Sequence, residues 1–330
     1  MMTTEDIRKP VAEDFARFNV LFGQTLQSDD ALLGKALEYV LKRRGKQLRP
    51  LLVLLSAKIC RGVSEKTLQT AVAMELLHTA SLVHDDVVDA SPVRRGQEAL
   101  QMRWGNKAAV LVGDFMMSKV VEVVAWLKNT RILHIVSALG TTLASGELLQ
   151  LHTGDSMWIA EDRYYEVISR KTACLFAACM EAGAESAGAG MRHTTALRQF
   201  GWHLGMCFQM KDDILDFSDS EELGKPTMND IRDGKVTLPL LIAVQRAPRE
   251  EAEGIRRIAE ELAEGTLRTE VYEAEQMLKS FVMRYEGVRY ACRQMQIHKE
   301  KAEQCLTVFR DSSAKESLAG LLDYAINRLH

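Results

Sequence analysis

An all-α fold is what this sequence predicts, and three observations predict it. Only six prolines interrupt 330 residues, well under half of what a usual share of about 5% would give. Alanine, leucine, glutamate and methionine, all good helix formers, are plentiful. Apolar residues recur at three- and four-residue steps over long stretches, and no run alternates with the period of two that marks a half-buried strand, so no sheet is expected.

Taken in order, the elements follow from that periodicity. The N-terminus, MMTTEDIRKPVAEDF, lacks the apolar stretch of an export signal, and the most apolar windows are broken by Lys58 or by Asp114, Lys119 and Glu122. A soluble, cytoplasmic chain is the expectation. Through 68–83, Leu68, Val72, Leu76, Ala80 and Val83 share one helical face while Ala73 and Leu77 fill a second, which predicts a helix buried nearly all round. Residues 108–127 repeat the pattern with Val112, Met116, Val120, Val124 and Leu127. Helices are also expected over 193–217 and 236–246, and residues 249–330 read as charged amphipathic helices without a chemical motif. Breakers stand between them: Gly62, Ser91-Pro92, Gly105-Asn106, Thr153-Gly154-Asp155, Gly188 to Gly190, and a loop from Ser218 to Gly234. No Pro- or Ser-rich linker and no shift of composition divides the chain, so residues 1–330 are expected to form one domain.

With 47% apolar residues the chain can build a large core, which argues against disorder. Forty-two basic against 45 acidic residues leave a net charge of −3, so no global field points to nucleic acid or an anionic membrane. The six cysteines (Cys60, Cys174, Cys179, Cys207, Cys292, Cys305) make no CxxC pair and are expected to be reduced core thiols.

The chemistry is concentrated in one internal echo: His84-Asp-Asp-Val-Val-Asp89 returns as Lys211-Asp-Asp-Ile-Leu-Asp216. On a helix, Asp85 and Asp89 lie one above the other, about a turn apart, and Asp212, Asp213 and Asp216 repeat that geometry. One such triplet alone could be a solvated helix face or a cap. Both triplets sit in apolar sequence, however, where unpaired carboxylates are expensive. Carboxylates without a Cys or His constellation suit a hard cation such as Mg²⁺, which characteristically takes further ligands from water and phosphate oxygens.

A phosphorylated substrate is therefore expected, and basic residues at loop-like positions offer to hold it: Lys46, Arg49, Arg94, Arg95, Lys171 beside Thr172, Lys225 and Lys235. Singly, each reads as a surface charge. His78, two turns from Asp85 on the same helix, is either a satisfied core histidine or a donor to a diphosphate. P-loop, GxGxxG, nucleophile-elbow and HExxH patterns are absent.

With these residues in hand, the chain resembles the trans-isoprenyl diphosphate synthases, the polyprenyl synthetase family. GKQLRP (45–50), ELLHTASLVHDDVVDASPVRRG (75–96), GELLQ (146–150), KTACLF (171–176), GMCFQMKDDILDF (205–217) and DGKVTLPL (233–240) carry the resemblance, from about Gly45 to Leu241. It implies a helical bundle around a deep central cavity, usually homodimeric, with the two aspartate helices facing each other. Asp85, Asp86, Asp89, Lys171, Asp212, Asp213 and Asp216 would be the catalytic set, with Asp85, Asp89 and Asp212 ligating Mg²⁺, three ions once substrate is bound. Lys46, Arg49, His78 and Arg95 match positions that hold isopentenyl diphosphate. Arg94, Lys171, Thr172, Gln209, Lys225 and Lys235 match those around the allylic diphosphate, for which farnesyl diphosphate is the expected primer.

The resemblance also bears on product length. Family members with farnesyl or geranylgeranyl products commonly carry bulky aromatics four and five positions before the first aspartate, where this chain has Ser81 and Ala80. A longer pocket is expected, running down past Leu77 and Met74, each helical turn adding about 5.4 Å. Met117, Val121 or Trp126 on the neighbouring helix are either its floor or ordinary core. An octaprenyl-like product follows, destined for a quinone side chain, with at most transient membrane contact for release. The alternatives are a short-chain synthase, a type I terpene cyclase, and a non-catalytic subunit of a heteromeric synthase.

Overall fold

The computed structural model describes residues 2–42, 45–94, 96–152, 157–218, 227–267 and 270–328, with 151 and 152 as backbone only. Its elements in chain order are α1 (Thr4–Arg8), α2 (Ala12–Thr25), α3 (Ala31–Lys42), α4 (Leu48–Cys60), α5 (Glu65–Val88), α6 (Leu100–Trp104), α7 (Asn106–Leu127), α8 (Thr130–His152) and α9 (Glu161–Ile168). There follow a π-helical turn (Ser169–Ala173), α10 (Cys174–Ser186), α11 (Met191–Leu215), α12 (Asn229–Arg232), α13 (Leu238–Arg246), α14 (Arg249–Glu264), α15 (Val271–Arg284), α16 (Gly287–Leu306) and α17 (Ser313–Asn327). The all-α expectation holds with one correction. Val93–Arg94 (β1) pairs antiparallel with Gln97–Glu98 (β2), a ribbon too short for any alternation to register in the sequence.

The helix expected over 68–83 is the middle of α5, which begins one residue after Ser64. That serine accepts from the Thr67 backbone N–H while Thr67 Oγ1 accepts from the Ser64 N–H, a reciprocal cap that satisfies two otherwise orphaned donors. Leu68, Val72, Leu76 and Ala80 are all buried, and so are Ala73, Met74 and Leu77 behind them, as a helix wrapped on all sides requires. α5 runs antiparallel to α7. His84 presses on Gly113 at one end, where an added Cβ would stand 2.2 Å from His84 Nε2, and Lys66 and Trp126 flank one surface hollow at the other.

α11 lies against α10 and the π-turn. Their approach depends on Gly205, since a Cβ there would come within 2.6 Å of the Ala173 Cα. Phe176 and Phe200, both buried, fill the seam between α10 and α11, each contributing about 1.5–3 kcal/mol by the area it removes from water. The 249–330 region forms α14 to α17, as expected.

Two expectations fail here. Cys292 is exposed rather than a core thiol, though all six cysteines are free. Val121 and Trp126 face away from α5, at 66% and 77% exposure, so neither is core nor a floor within this chain. Thr153-Gly154-Asp155 lies outside the described residues.

Candidate active site

The C-terminal ends of α5 and α11 meet at one cavity of about 500 Å³, bordered by Asp89, Lys171, Thr172, Gln209, Asp213 and Lys235. Both helices carry their aspartates in the last turn. Asp89 and Asp216 are the capping residues of α5 and α11, a position that leaves their side chains free of the helical ladder.

The six aspartates divide into different roles. Asp86, buried, takes Arg94 Nε at 2.6 Å and Arg94 Nη2, so the arginine expected on the allylic diphosphate is anchored on the first triplet by the β1–β2 ribbon. Asp213, also buried, accepts from the Tyr164 hydroxyl and from Gln209 Nε2 at 3.0 Å. Asp216 accepts the backbone N–H groups of Asn229 and Asp230, 3.0 and 3.2 Å away, which folds the chain after α11 back over the site. Asp85 is half-buried, and Asp89 is exposed without a partner among the described residues. Asp212 pairs with Arg328 Nη2 at 2.8 Å.

Burial pushes the Asp85 carboxyl up to about 6, with Glu147 and Asp89 adding to the rise and Lys171 and Arg94 opposing it. Burial likewise raises Asp213, Asp216 and Asp230. This negative charge calls for further cations. Among the described residues no three His, Cys, Asp or Glu side chains converge into a cage of protein ligands alone. The donor set fits a hard divalent cation that completes its shell with water and phosphate oxygens: the side chains of Asp85 and Asp89 make no hydrogen bond or ion pair among the described residues, and Asp212 would exchange its Arg328 contact for the cation.

Lys171 lies on the π-turn, with Nζ 2.7 Å from Gln150 Oε1 and 2.8 Å from Glu147 Oε1. Thr172 follows it and donates to Gln209 Oε1 at 2.8 Å. The extra residue in that turn rotates Lys171 and Thr172 together onto the cavity wall, as such bulges do at functional sites. Lys235 follows Gly234, whose φ of 72° needs a glycine; its Nζ stands 3.7 Å from Asp233. Thr237, buried at the head of α13, borders the same cavity, and its hydroxyl has no partner among the described residues.

The second set of basic residues lies just before α4, on α4 and on α5. Lys46 Nζ is 2.8 Å from the Tyr324 hydroxyl, and the Arg49 guanidinium stands 5.4 Å from the Phe176 ring centroid. His78 is buried on α5, two turns before Asp85. Ser81, half-buried, donates to the His78 carbonyl at 2.9 Å, and Leu77 faces Gly140 of α8. Arg95 and Lys225 lie outside the described residues.

Four participants escaped the sequence reading. Tyr164 stands seven residues before Lys171, which was its available signal. Asp230 was legible as an acidic residue five positions ahead of Lys235. Tyr324 and Arg328 had no signal at all, because they belong to no motif and only the fold brings them to Lys46 and Asp212.

Comparison with known proteins places the chain in a family. The polyprenyl synthetase family model matches residues 30–275. An all-trans-nonaprenyl-diphosphate synthase (geranyl-diphosphate specific) from Rhodobacter capsulatus is 36% identical over 327 residues, 98% of each chain. The octaprenyl diphosphate synthase of Escherichia coli is 34% identical over 328 residues, 99% of each. A polyprenyl synthase from Caulobacter crescentus, solved with calcium and isoprenyl diphosphate, superposes with a TM-score of 0.90 at 34% identity, covering 99% of this chain and 98% of its own. Two aspartate-bearing helix ends around one cavity, with sequence similarity along the whole chain, lead to one conclusion: the chain belongs to the polyprenyl synthetase family.

Proposed function

We propose that the chain is a long-chain all-trans polyprenyl diphosphate synthase, a prenyltransferase that condenses isopentenyl diphosphate head-to-tail onto an allylic diphosphate. The observation that carries this reading is the single cavity onto which an aspartate of α5, an aspartate of α11, the Lys171–Thr172 turn and Lys235 all open. The allylic C–O bond breaks and releases diphosphate, the alkene of isopentenyl diphosphate forms the new C–C bond, and a C–H proton of the resulting cation passes to the released diphosphate, leaving a longer allylic diphosphate.

Mg²⁺ held by Asp85, Asp89 and Asp212, as three ions with substrate in place, would act as a Lewis acid on the departing diphosphate. Lys171, fixed by Glu147 and Gln150, sets a positive charge beside that leaving group, and Lys235 and Lys225 add to it. Arg94 contributes from its anchored position on Asp86. Lys46, Arg49, His78 and Arg95 hold the second diphosphate separately, so that alkene and allylic carbon meet in attack geometry. The Thr172 hydroxyl oxygen and the Gln209 amide face the developing cation with their dipoles. Met157, Ile159, Val167, Ile168 and Val236 give the wall an apolar part against which water is kept from the cation.

Small side chains at Ala80 and Ser81, with two relatives named for eight- and nine-unit products, support an octaprenyl-like length over a farnesyl or geranylgeranyl product. The outward faces of α7 and α8 support a homodimer: Leu111, Val121, Trp126, Leu133 and Leu148 are all exposed. The segment Thr130–Gln150 of α8 is long and apolar enough to cross a membrane by composition, and a second copy packed on it accounts for that character in a cytosolic enzyme.

The test is to incubate the purified chain with Mg²⁺, farnesyl diphosphate and excess labelled isopentenyl diphosphate and to size the dephosphorylated products. Products clustering near eight units are expected. Ala80→Phe or Ser81→Phe should shorten them, and an unchanged distribution would overturn the pocket assignment. Folded protein that forms no product removes the synthase reading.

A further inference from the structure

Four side chains on the cavity wall form one hydrogen-bonded line. Thr172 Oγ1 donates to Gln209 Oε1 at 2.8 Å, Gln209 Nε2 donates to Asp213 Oδ1 at 3.0 Å, and the Tyr164 hydroxyl donates to Asp213 Oδ2. All four residues border the cavity, and Tyr164 and Asp213 are 3% and 2% exposed. They come from three elements, α9, the π-turn and α11, so the line is built by the fold and not by sequence proximity.

The polarity of this line is determined at its Tyr164 end. With the Tyr164 hydroxyl donating to Oδ2, Asp213 presents Oδ1 as an acceptor to the NH₂ side of the Gln209 amide, and Oε1 must then face Thr172. With Oε1 opposite, the Thr172 hydroxyl commits its only proton to Gln209 and leaves lone pairs for the cavity. Asp213 itself is crowded by like charges: Asp212 and Asp216 on its own helix and Asp230 from the returning chain. Its second oxygen therefore needs a donor to stay in register. A cation in that place would neutralise the cluster that must attract metal and substrate, whereas a phenol supplies a proton without a charge.

We propose that Tyr164 is a positioning residue for the prenyl transfer: it locks Asp213, and through Gln209 it points the Thr172 oxygen at the site where the allylic cation forms. The inference rests on the synthase reading above. It assigns to Asp213 an orienting task in place of direct metal ligation, and it explains why a buried tyrosine stands in an acidic cluster.

Steady-state kinetics of Tyr164→Phe test it, with wild type assayed alongside. The expected result is a fall in kcat of about 10- to 100-fold, as for loss of an outer partner that orients a residue at the site. KM for both diphosphates and the half-saturating Mg²⁺ concentration should stay within about twofold, since the phenol spends its proton on Asp213. Gln209→Glu, which cannot donate to Asp213, should lose kcat to a similar extent and carries the test alone if Tyr164→Phe does not fold. The double variant should be no slower than the worse single one, because both break the same line. Unchanged kcat, a raised Mg²⁺ requirement, or multiplicative losses in the double variant would each overturn the proposal. Wild-type protein without condensation activity would instead remove the synthase reading on which it stands.

Discussion

Asp86 and Asp213 occupy the middle of the two aspartate triplets, and both are engaged by protein: Asp86 by Arg94, Asp213 by Tyr164 and Gln209. The outer residue Asp85 has no such engagement, and its raised pKa says that the folded protein disfavours its charge. The two kinds of position should respond oppositely to truncation. Asp85→Ala should reduce turnover on the order of 10²–10³-fold or more while leaving the thermal midpoint equal to or above that of wild type. Calorimetry beside the condensation assay checks both halves. Arg94→Ala leaves the buried Asp86 carboxylate without its cation and should cost about 1–3 kcal/mol of stability, read from urea unfolding at pH 7.5. Equal stability would show that water or another side chain replaces the guanidinium. The residue types and their spacing were legible in the sequence, because aspartates in apolar surroundings stand out. Their division into held and available positions was not, since Arg94, Tyr164 and Gln209 reach them only through the fold.

At the scale of elements, periodicity identified α5, α7, α11 and α13 within a few residues of their ends, because buried faces impose the 3.6-residue repeat that a reader can count. It could not reveal the π-turn at Ser169–Ala173, where one residue is added without any change in composition. A second feature of α11 was equally hidden. His203 on α11 and His298 on α16 approach Nδ1 to Nδ1 at 3.0 Å, with Trp202 packed against both rings. Burial pushes both imidazoles down to about 4, and the Lys301 charge adds to the shift. Between pH 4 and the ordinary value near 6.5, the unfolded chain therefore binds more protons than the folded one. The stability contributed by keeping this pair neutral is present above about pH 6.5 and is lost as pH falls toward 4. Replacing both histidines by glutamine should flatten that part of the curve of unfolding free energy against pH. A double variant as acid-sensitive as wild type would transfer the effect to other groups.

For the whole molecule, the chain's two ends and its outer helices matter most, and they were the hardest to read. Sequence separation hides that α17 lies beside α4 and that Arg328, 116 positions from Asp212, seals the second triplet. It also hides which apolar residues remain outside. Val112, Met116 and Val120 of α7 are buried against α5, yet Leu111, Val121 and Trp126 of the same helix are exposed, and α8 continues that apolar surface with Leu133 and Leu148. Scattered exposed apolar side chains are ordinary, but a run of large ones over two consecutive helices marks an interaction surface. A second copy can cover it isologously, each protomer burying the same patch. Sedimentation should then give about twice the 37.0 kDa chain mass for wild type. Combining Trp126→Glu with Leu133→Glu places like charges in the buried centre of such an interface and should yield the single-chain mass. Neither residue contributes to the core of one chain, so circular dichroism should remain helical. Wild type at single-chain mass, or a charged variant that stays paired, would remove α7 and α8 as the dimer face. A monomeric variant that still makes product would show that each cavity is complete within its own chain, as the enclosure of Asp89, Lys171, Gln209 and Lys235 by one polypeptide leads us to expect.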